Sequence, residues 1–309
     1  MRISYCSHDT SDTQPWLDAL GKALPGAEIS AWAPGAPLAD YAIVWRAPQV
    51  FFDEQTQLKA IFNTGAGIDA LARLKLPAGV PVIRLEDAGM AAQMAEYVAH
   101  ALIRHVREFD VYEAQAERGE WAARPLRSRR DFPVGVMGLG ALGERVAQVL
   151  TALDFPVNGW SRSPKTLPGV RCYVGDEFHD FLRASRVLVS LLPLTPATTD
   201  LMNRETLSML RPGAYVINVA RGLQLVEDDL LALLDSGHVA GATLDVFRTE
   251  PLPAGHPFWS HPKVHITPHS SANTVMSDSV DQIVGKLKAL DGGAPLSSIG
   301  GVVDASTGY

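Results

Sequence analysis

Three side chains in the C-terminal half of the sequence together supply a cation, an anion and a proton donor. Arg221, Glu250 and His269 each follow an apolar run of the kind that forms a buried strand. If these runs are parallel strands, their carboxyl ends share one edge of a sheet, which is where open α/β sheets bind ligands. A guanidinium orients a carboxylate, and an imidazolium paired with an acid protonates an oxygen. The three residues therefore predict a catalytic site for hydride reduction of a 2-keto acid.

Each of these residues also has a structural explanation when it is considered alone. Glu250 could be a surface acid, Arg221 a cap, and His269 simply one of nine histidines. Their joint occurrence after three strands of one predicted sheet favours the catalytic interpretation. His261 and His265 are weaker candidates, because His265 falls inside a strand and His261 lies in the loop before it.

A glycine-rich turn precedes this region. An apolar run over 134–137 stops at Gly138, Gly140 and Gly143, and a helical pattern follows directly. Glycines at this spacing let a pyrophosphate approach bare backbone N–H groups at a helix N-terminus, although the same turn could be merely structural. The predicted cofactor contacts of this turn are Gly138, Leu139, Gly140, Ala141, Leu142 and Gly143.

The loop after the next strand predicts which nicotinamide cofactor is used. Folds that prefer NAD place an acid about 20 residues past the glycines, where it binds the ribose hydroxyls. No acid is present over 158–165; Ser161, Arg162, Ser163 and Lys165 instead offer hydroxyls and positive charges that suit a 2′-phosphate. We therefore predict NADPH/NADP, with NADH as the weaker alternative. If this is an ordinary polar loop, both cofactors are used about equally.

Alternating strand and helix patterns predict an α/β fold with two Rossmann-like domains and doubly wound parallel sheets. The predicted strands cover 2–6, 28–33, 41–46, 59–63, 82–85, 134–137, 156–160, 170–174, 186–192, 214–219, 241–247 and 264–268. One long helical pattern over 90–121 leads from the first domain to the second, and a final helix over 275–290 returns to the first. We predict a substrate-binding domain of 1–97 and 275–309, split between both chain ends, and a dinucleotide-binding domain of 98–274.

Two further segments have open interpretations. The run from Asn63 to Asp69 ends a strand with two glycines, whose backbone N–H groups could face a substrate carboxylate. A plain turn in which Asp69 caps a helix has equal support. The basic run over 124–130 belongs to a connecting loop; we expect it to be solvated, and the alternative is contact with a partner or ligand.

Composition excludes several classes of protein. A net charge of −7 gives no basic surface for nucleic acid or anionic lipid. Cys6 and Cys172 have no metal-type spacing, so we expect no metal site and no disulfide, as in a reducing cytoplasm. The N-terminus lacks a signal-peptide pattern, and no apolar run is long enough to span a membrane.

Several motifs resemble those of the D-2-hydroxyacid dehydrogenases. In order, they are Gly138-Leu-Gly-Ala-Leu-Gly143, the segment 191–199, Asn218-Val-Ala-Arg-Gly222, the segment 245–253 and Thr267-Pro-His269. The segments 44–48, 65–69, 84–90 and 160–162 resemble the glyoxylate/hydroxypyruvate reductase A branch in particular. The similarity therefore covers nearly the whole chain.

The resemblance implies a cytoplasmic homodimer that reduces glyoxylate to glycolate and hydroxypyruvate to D-glycerate with NADPH. Arg221 would orient the substrate, Glu250 would pair with the histidine, and His269 would be the acid. The backbone of Ala66 and Gly67 would hold the substrate carboxylate. Further cofactor contacts implied by the motifs are Leu192, Pro193, Thr195, Thr199, Ala220, Asp245, His269 and Ser271.

The role of Trp45 has an alternative, and two departures from the family pattern temper this transfer. Trp45 would wall the substrate pocket, although a core tryptophan is also possible. Ser270 and Ser271 follow the histidine where small apolar residues are commoner. Arg46 stands where the branch has a smaller cation or a histidine, so it could shift substrate choice or point to solvent.

Other activities occur on the same scaffold, including formate, phosphoglycerate and phosphite dehydrogenases. A different class is an NAD(P)-binding corepressor or redox sensor, in which the cofactor acts as a signal. The intact set of Arg221, Glu250 and His269 and the acidic composition argue against a sensor.

Overall fold

The computed structural model describes residues 1–303, and these form two units. The first unit comprises Met1–Gly89 and the C-terminal segment that begins at Thr274; the second is Met90–Asn273. The sequence instead places the boundaries at 97/98 and 274/275. The part of the predicted first domain that covers 304–309 lies outside the described residues.

The first unit is built on a five-stranded parallel sheet. Its strands are β1 (Arg2–Ser7), β2 (Glu28–Ala31), β3 (Tyr41–Trp45), β4 (Ala60–Asn63) and β5 (Val82–Arg84), in the order β2-β1-β3-β4-β5. The helices that accompany them are α1 (Thr13–Ala23), α2 (Gln49–Glu54) and α3 (Asp69–Ala72). Four successive residues of β3 and all four of β4 are buried, because a parallel sheet is covered on both faces.

The second unit is built on a seven-stranded parallel sheet with the order β12-β11-β10-β9-β6-β7-β8. In chain order its elements are α4 (Met90–Val106), α5 (Phe109–Glu117), β6 (Val134–Met137), α6 (Ala141–Ala152), β7 (Val157–Ser161), β8 (Val170–Val174), α7 (Phe178–Ala184), β9 (Val187–Ser190), α8 (Arg204–Ser208), β10 (Ala214–Asn218), α9 (Glu227–Asp235), β11 (Val239–Leu244) and β12 (Val264–Ile266). Strand order reverses between β6 and β9, so a ligand crevice is expected at their carboxyl ends.

Helix α4 explains why the second unit begins at Met90. Its buried face, which includes Val98 and Leu102, packs in the same core as Val146 and Leu150 of α6. The chain leaves this unit after Asn273 and forms α10 (Met276–Asp291), which packs with α1 in the first unit. The predicted fold class, two Rossmann-like parallel sheets, is confirmed.

The prediction of one helix over 90–121 is wrong. The helix stops at Val106, a second one starts at Phe109 and ends at Glu117, and Glu108 between them has φ +53°. The buried Glu108 carboxylate accepts hydrogen bonds from Arg124 at 3.0 Å and Arg127 at 2.7 Å. Two members of the basic run are therefore paired with an acid rather than simply solvated.

Membrane insertion of a helix finds no support in this fold. Within residues 1–303, every helix falls short of the length and apolar character that crossing a bilayer requires.

Candidate active site

The glycine turn after β6 has one position that is open and two that are crowded. A Cβ on Gly143 would lie 1.8 Å from the Gly138 carbonyl oxygen, and Gly138 itself has φ +96°. Both residues must be glycine for the turn to form. A Cβ on Gly140 would meet nothing within 4 Å, and Gly140 is the N-cap of α6. The bare backbone at this helix N-terminus therefore fits a pyrophosphate.

The other residues of the turn have different roles. The side chain of Leu139 is buried and fills the space beside Gly159 of β7, where a Cβ would lie 2.7 Å from it. It therefore supports the turn by packing. Ala141 and Leu142 form the first turn of α6.

The loop after β7 presents positive charge at its surface. The Ser161 hydroxyl is buried and donates to the Ser163 carbonyl at 2.8 Å, which fixes the bend. Arg162, Ser163 and Lys165 are exposed. Because Ser161 is committed to the backbone, the guanidinium and the ammonium are the groups best suited to a phosphate here.

The loop after β9 is held by a glutamine that sequence reasoning missed. Gln224 is buried, and its amide nitrogen donates to the carbonyls of Leu192 at 2.9 Å and Pro193 at 3.0 Å. Its amide oxygen accepts from the Ser190 hydroxyl at 3.0 Å. A lone glutamine between two leucines in the sequence was the only available signal. The loop that carries two predicted cofactor contacts is thus fixed by one side chain.

Thr195 and Thr199, also predicted cofactor contacts, belong to a tight turn. Thr198 Oγ1 accepts from the Thr195 N–H at 2.8 Å and donates to the Pro193 carbonyl at 2.7 Å. The Thr199 hydroxyl donates to the Thr195 carbonyl at 2.9 Å. The threonine hydroxyls at 198 and 199 thus shape the turn.

Arg221 lies on a turn that a buried asparagine shapes. Asn218 at the end of β10 donates to the Arg221 carbonyl at 3.1 Å and accepts from the Ala220 N–H at 3.2 Å. Arg221 Nη1 donates to the Ala220 carbonyl at 2.7 Å. A Cβ on Gly222 would lie 1.9 Å from the Phe247 carbonyl carbon, so this turn lies directly against the loop after β11.

His269 and Glu250 are hydrogen-bonded. His269 Nδ1 lies 2.8 Å from Glu250 Oε2, and Glu250 Oε1 accepts from the Phe247 N–H at 3.0 Å. Each side chain is between a third and two fifths exposed, with values of 39% for His269 and 33% for Glu250, so both can be reached from solvent. Since Nδ1 faces the carboxylate, Nε2 is left on the opposite side of the ring.

The electrostatics of Glu250 favour its charged form. Burial raises the pKa of this carboxyl, but the His269 hydrogen bond, the Phe247 N–H and the charges of His269 and Arg221 outweigh burial and leave the pKa below its ordinary value. Arg221 therefore contributes to the same electrostatic site as Glu250 and His269. The structure brings together the three residues that the sequence singled out.

The loop that carries His269 surrounds the buried Asp245 carboxylate. Asp245 Oδ1 accepts from the Thr267 hydroxyl at 2.5 Å and from the Ser270 N–H at 2.8 Å, and Oδ2 accepts from the Ser271 N–H at 2.9 Å. Ser270 and Ser271 thus contribute backbone groups to the loop. Both carboxylate oxygens of Asp245, a predicted cofactor contact, already have protein partners.

A tyrosine from α4 extends this network. The Tyr97 hydroxyl lies 2.5 Å from Thr267 Oγ1, and because Thr267 donates to Asp245, Tyr97 is the donor in this contact. Burial raises the pKa of Tyr97 to about 12.

His269 itself has φ +53°, a strained conformation for a residue with a Cβ. The polar network holds this backbone in place.

The weaker histidine candidates lie elsewhere. His261 Nε2 is 3.7 Å from Asp235, and His265 is part of β12. Burial and the nearby Arg104 lower the pKa of His265.

In the first unit, the side chain of Asn63 holds the loop from Gly65 to Gly67. The amide of the buried Asn63 donates to the carbonyls of Gly65 and Gly67, both at 2.9 Å. The Trp45 ring lies against Gly65, where a Cβ would be 2.4 Å from it. Trp45 thus packs on the loop. Asp69 is the first residue of α3, and Ile68 rather than Asp69 is its N-cap.

A glycine turn and an Arg/Glu/His set on one parallel sheet define the class of this protein as a dinucleotide-dependent dehydrogenase. The chain belongs to the D-isomer specific 2-hydroxyacid dehydrogenases, whose NAD binding domain matches residues 99–271. The prediction of this family is confirmed.

Relatives match over nearly the full chain. A glyoxylate/hydroxypyruvate reductase A from Serratia proteamaculans is 46% identical over 98% of each chain. A D-isomer specific 2-hydroxyacid dehydrogenase from Xanthobacter autotrophicus, solved with NADPH and MES, is 39% identical with a TM-score of 0.92 and covers 99% of both chains. An NADPH-dependent glyoxylate/hydroxypyruvate reductase from Sinorhizobium meliloti, solved with NADP and sulfate, is 33% identical with a TM-score of 0.92, covering 100% of this chain and 99% of that one. The predicted similarity to the reductase A branch is also confirmed.

Proposed function

We propose that this protein reduces small 2-keto acids with NADPH, converting glyoxylate to glycolate and hydroxypyruvate to D-glycerate. The observation that carries this proposal is the hydrogen bond between His269 and Glu250, with Arg221 contributing charge to the same site. The names of the Serratia and Sinorhizobium relatives support the choice of substrates.

The cofactor is proposed to be NADPH, which supplies the hydride when bound. The open backbone at Gly140 and the positive loop at Arg162 and Lys165 support this choice. The residues proposed to hold the dinucleotide are Gly138, Leu139, Gly140, Ala141, Leu142, Gly143, Ser161, Arg162, Ser163, Lys165, Leu192, Pro193, Thr195, Thr199, Ala220, Asp245, His269 and Ser271. The Xanthobacter and Sinorhizobium relatives were solved with NADPH and NADP.

Substrate binding and proton transfer are assigned to residues of this chain. The backbone N–H groups of Ala66 and Gly67 bind the substrate carboxylate, and Arg221 orients the carboxylate and polarises the ketone. His269, through Nε2, gives a proton to the ketone oxygen. Glu250 at 2.8 Å stabilises the positive charge of the ring before that transfer.

A substitution of His269 tests this mechanism. His269→Ala should lower kcat for glyoxylate by about 10²–10⁴-fold, because proton transfer is lost, while NADPH binding stays close to wild type. The readouts are the decrease in nicotinamide absorbance and a direct NADPH titration. His261→Ala is the matched control, since His261 pairs with Asp235 outside the site. Equal activity of His269→Ala and wild type would remove His269 from the mechanism.

The wild-type assay also separates an enzyme from a sensor. NADPH binding without turnover of glyoxylate, hydroxypyruvate or any other 2-keto acid would contradict the proposed function and favour a cofactor-sensing protein.

The assembly proposed is a homodimer in the cytoplasm. The segment between α5 and β6 carries two apolar side chains that are almost fully in solvent, Trp121 at 103% and Leu126 at 88% relative exposure. Apolar side chains that cluster into an exposed patch mark protein contacts, and we propose that these two take part in the subunit contact. Cys6 and Cys172 are both free thiols, which suits a reducing compartment. Light scattering should give twice the chain mass, and Trp121→Ser with Leu126→Ser should shift it toward the monomer; an unchanged mass would exclude this segment as the contact.

A further inference from the structure

Arg46 lies at the carboxyl edge of the first sheet, close to the point where strand order reverses. Strand order in this sheet reverses between β1 and β3, and ligands of open parallel sheets bind at such a reversal. Arg46 is the first residue after β3. It therefore stands at the point of the first unit where the fold itself favours a ligand.

The neighbouring strands hold the backbone on both sides of Arg46. The His8 N–H, just after β1, donates to the Trp45 carbonyl at 2.9 Å, and the Thr64 N–H, just after β4, donates to the Val44 carbonyl at 3.0 Å. Arg46 thus emerges between the loops that follow β1 and β4.

The conformation of Arg46 is strained. Its φ is +50°, in the left-handed region that residues with a Cβ rarely adopt. Such conformations persist only where surrounding contacts impose them, and they concentrate at binding sites. Here the strain directs an exposed cationic side chain from the carboxyl edge of the sheet.

The Arg46 guanidinium is linked to the substrate loop through one ring. Its Cζ lies 5.5 Å from the centre of the Trp45 ring, within range of a cation–π contact. The Trp45 ring in turn lies against Gly65, the residue before Ala66 and Gly67. One indole therefore separates the guanidinium from the loop proposed to bind the substrate carboxylate.

We propose that Arg46 binds an anionic group at the far end of the substrate, so that the site accepts 2-keto acids with a second negative charge. That charge is a carboxylate or a phosphate ester, because an exposed guanidinium pairs with either in a bidentate manner. The proposal rests on the proposed function, in which Ala66 and Gly67 hold the first carboxylate. Glyoxylate carries no second anionic group, so its turnover does not depend on this contact.

Substrate pairs that differ in the far charge test this proposal. Oxaloacetate is compared with 2-oxobutanoate, which has the same carbon count and no second carboxylate. 3-Phosphohydroxypyruvate is compared with hydroxypyruvate. For each pair the measured quantity is the ratio of kcat/KM for the charged substrate to kcat/KM for the uncharged one, at fixed NADPH, so that any general loss of activity cancels.

We expect Arg46→Gln to lower at least one of these ratios about tenfold, because a charge-assisted contact to the far group is lost. Arg46→Lys keeps the charge but lacks the planar guanidinium. Its ratios should lie between those of wild type and those of Arg46→Gln. Lys22→Gln is the control: it removes one exposed positive charge from α1 of the same unit and should leave both ratios unchanged.

The outcomes separate the two proposals. A fall in the oxaloacetate ratio alone identifies a carboxylate, and a fall in the phosphate ratio alone identifies a phosphate. Unchanged ratios in Arg46→Gln, or wild-type turnover of glyoxylate without turnover of either charged substrate, would overturn the role of Arg46. Absence of turnover of every 2-keto acid, glyoxylate included, would instead overturn the proposed function.

Discussion

The backbone N–H of His269 donates to the backbone carbonyl of Asp245 at 2.8 Å. The Asp245 side chain is fully buried and accepts from the backbone N–H groups of Ser270 and Ser271, the two residues that follow this histidine. One aspartate therefore fixes the loop of His269 at three successive backbone groups. The strained backbone of His269 depends on this arrangement.

Asp245→Asn should lower both the free energy of unfolding and kcat. The new amide would place a donor against a backbone N–H or the Thr267 hydroxyl, and a buried polar group without a partner costs about 1–3 kcal/mol. We expect a loss of this size in the free energy of unfolding in urea, together with at least a roughly tenfold lower kcat as the loop of His269 shifts.

Tyr97→Phe is the graded comparison for this variant. It removes only the outer hydrogen bond to Thr267, so it should cost about 1 kcal/mol and leave kcat close to wild type. If Asp245→Asn were as stable and active as wild type, the network would not be what holds the loop.

The glycine turn yields a prediction from two chemically identical substitutions. Gly143→Ala places a Cβ 1.8 Å from the Gly138 carbonyl oxygen, so the turn must open; we expect a loss of about 2–4 kcal/mol in stability. Gly140→Ala meets nothing within 4 Å and should unfold near the wild-type temperature. It should nevertheless weaken NADPH binding about tenfold or more, because the Cβ occupies the space proposed for the pyrophosphate. Wild-type NADPH affinity in Gly140→Ala would place the cofactor elsewhere.

Cofactor choice should depend on Arg162. Replacing Arg162 by Gln removes the charge-assisted contact proposed for the 2′-phosphate, which NADH lacks. This variant should raise the KM for NADPH by about tenfold with little effect on NADH. Arg171→Gln, which removes a guanidinium from β8 that stacks on Tyr173, is the control. Equal changes for the two cofactors would show that Arg162 does not contact the phosphate.

The free energy of unfolding should decrease at acid pH because His105 is buried in its neutral form. This ring stacks on Tyr215 with 4.0 Å between centroids, and burial, together with Arg127, lowers its pKa from 6.5 to about 4. Between these values the unfolded chain binds a proton that the folded protein does not, so the free energy of unfolding decreases as the pH drops from about 6.5 to about 4. The total loss is at most roughly 3 kcal/mol.

Comparison with His105→Gln isolates this effect. The free energy of unfolding is measured in urea from pH 7.5 to 4 for wild type and variant. As the pH drops across that window, it should decrease more for wild type than for the variant. A difference that stays constant with pH would mean that His105 titrates alike in both states.

Strands were the most predictable elements of this fold, for a physical reason. A strand such as β10 is buried on both faces, so its residues form a continuous apolar run that the sequence displays directly. The break after Val106 was not predictable in this way. The helical pattern continues across it, and the pairing of Glu108 with Arg124 and Arg127 depends on residues 16 and 19 positions away.

The candidate site shows the same division. Arg221, Glu250 and His269 were found because each follows a strand, and parallel strands bring their ends together. The groups that fix them were not found, since Tyr97 and Thr267 are 170 positions apart and neither has a distinctive local pattern. Short helices such as α2 were missed because six residues carry too little periodicity.

Gln224 links two loops, one through its side-chain amide and the other through its backbone N–H. It bonds the carbonyls of Leu192 and Pro193, and its own backbone N–H donates to the carbonyl of Arg221 at 3.2 Å. A ligand that displaces the Leu192–Pro193 segment must break these bonds or carry the arginine turn with it. We therefore expect a dinucleotide bound at the proposed Leu192–Pro193 contact to shift the turn that carries Arg221.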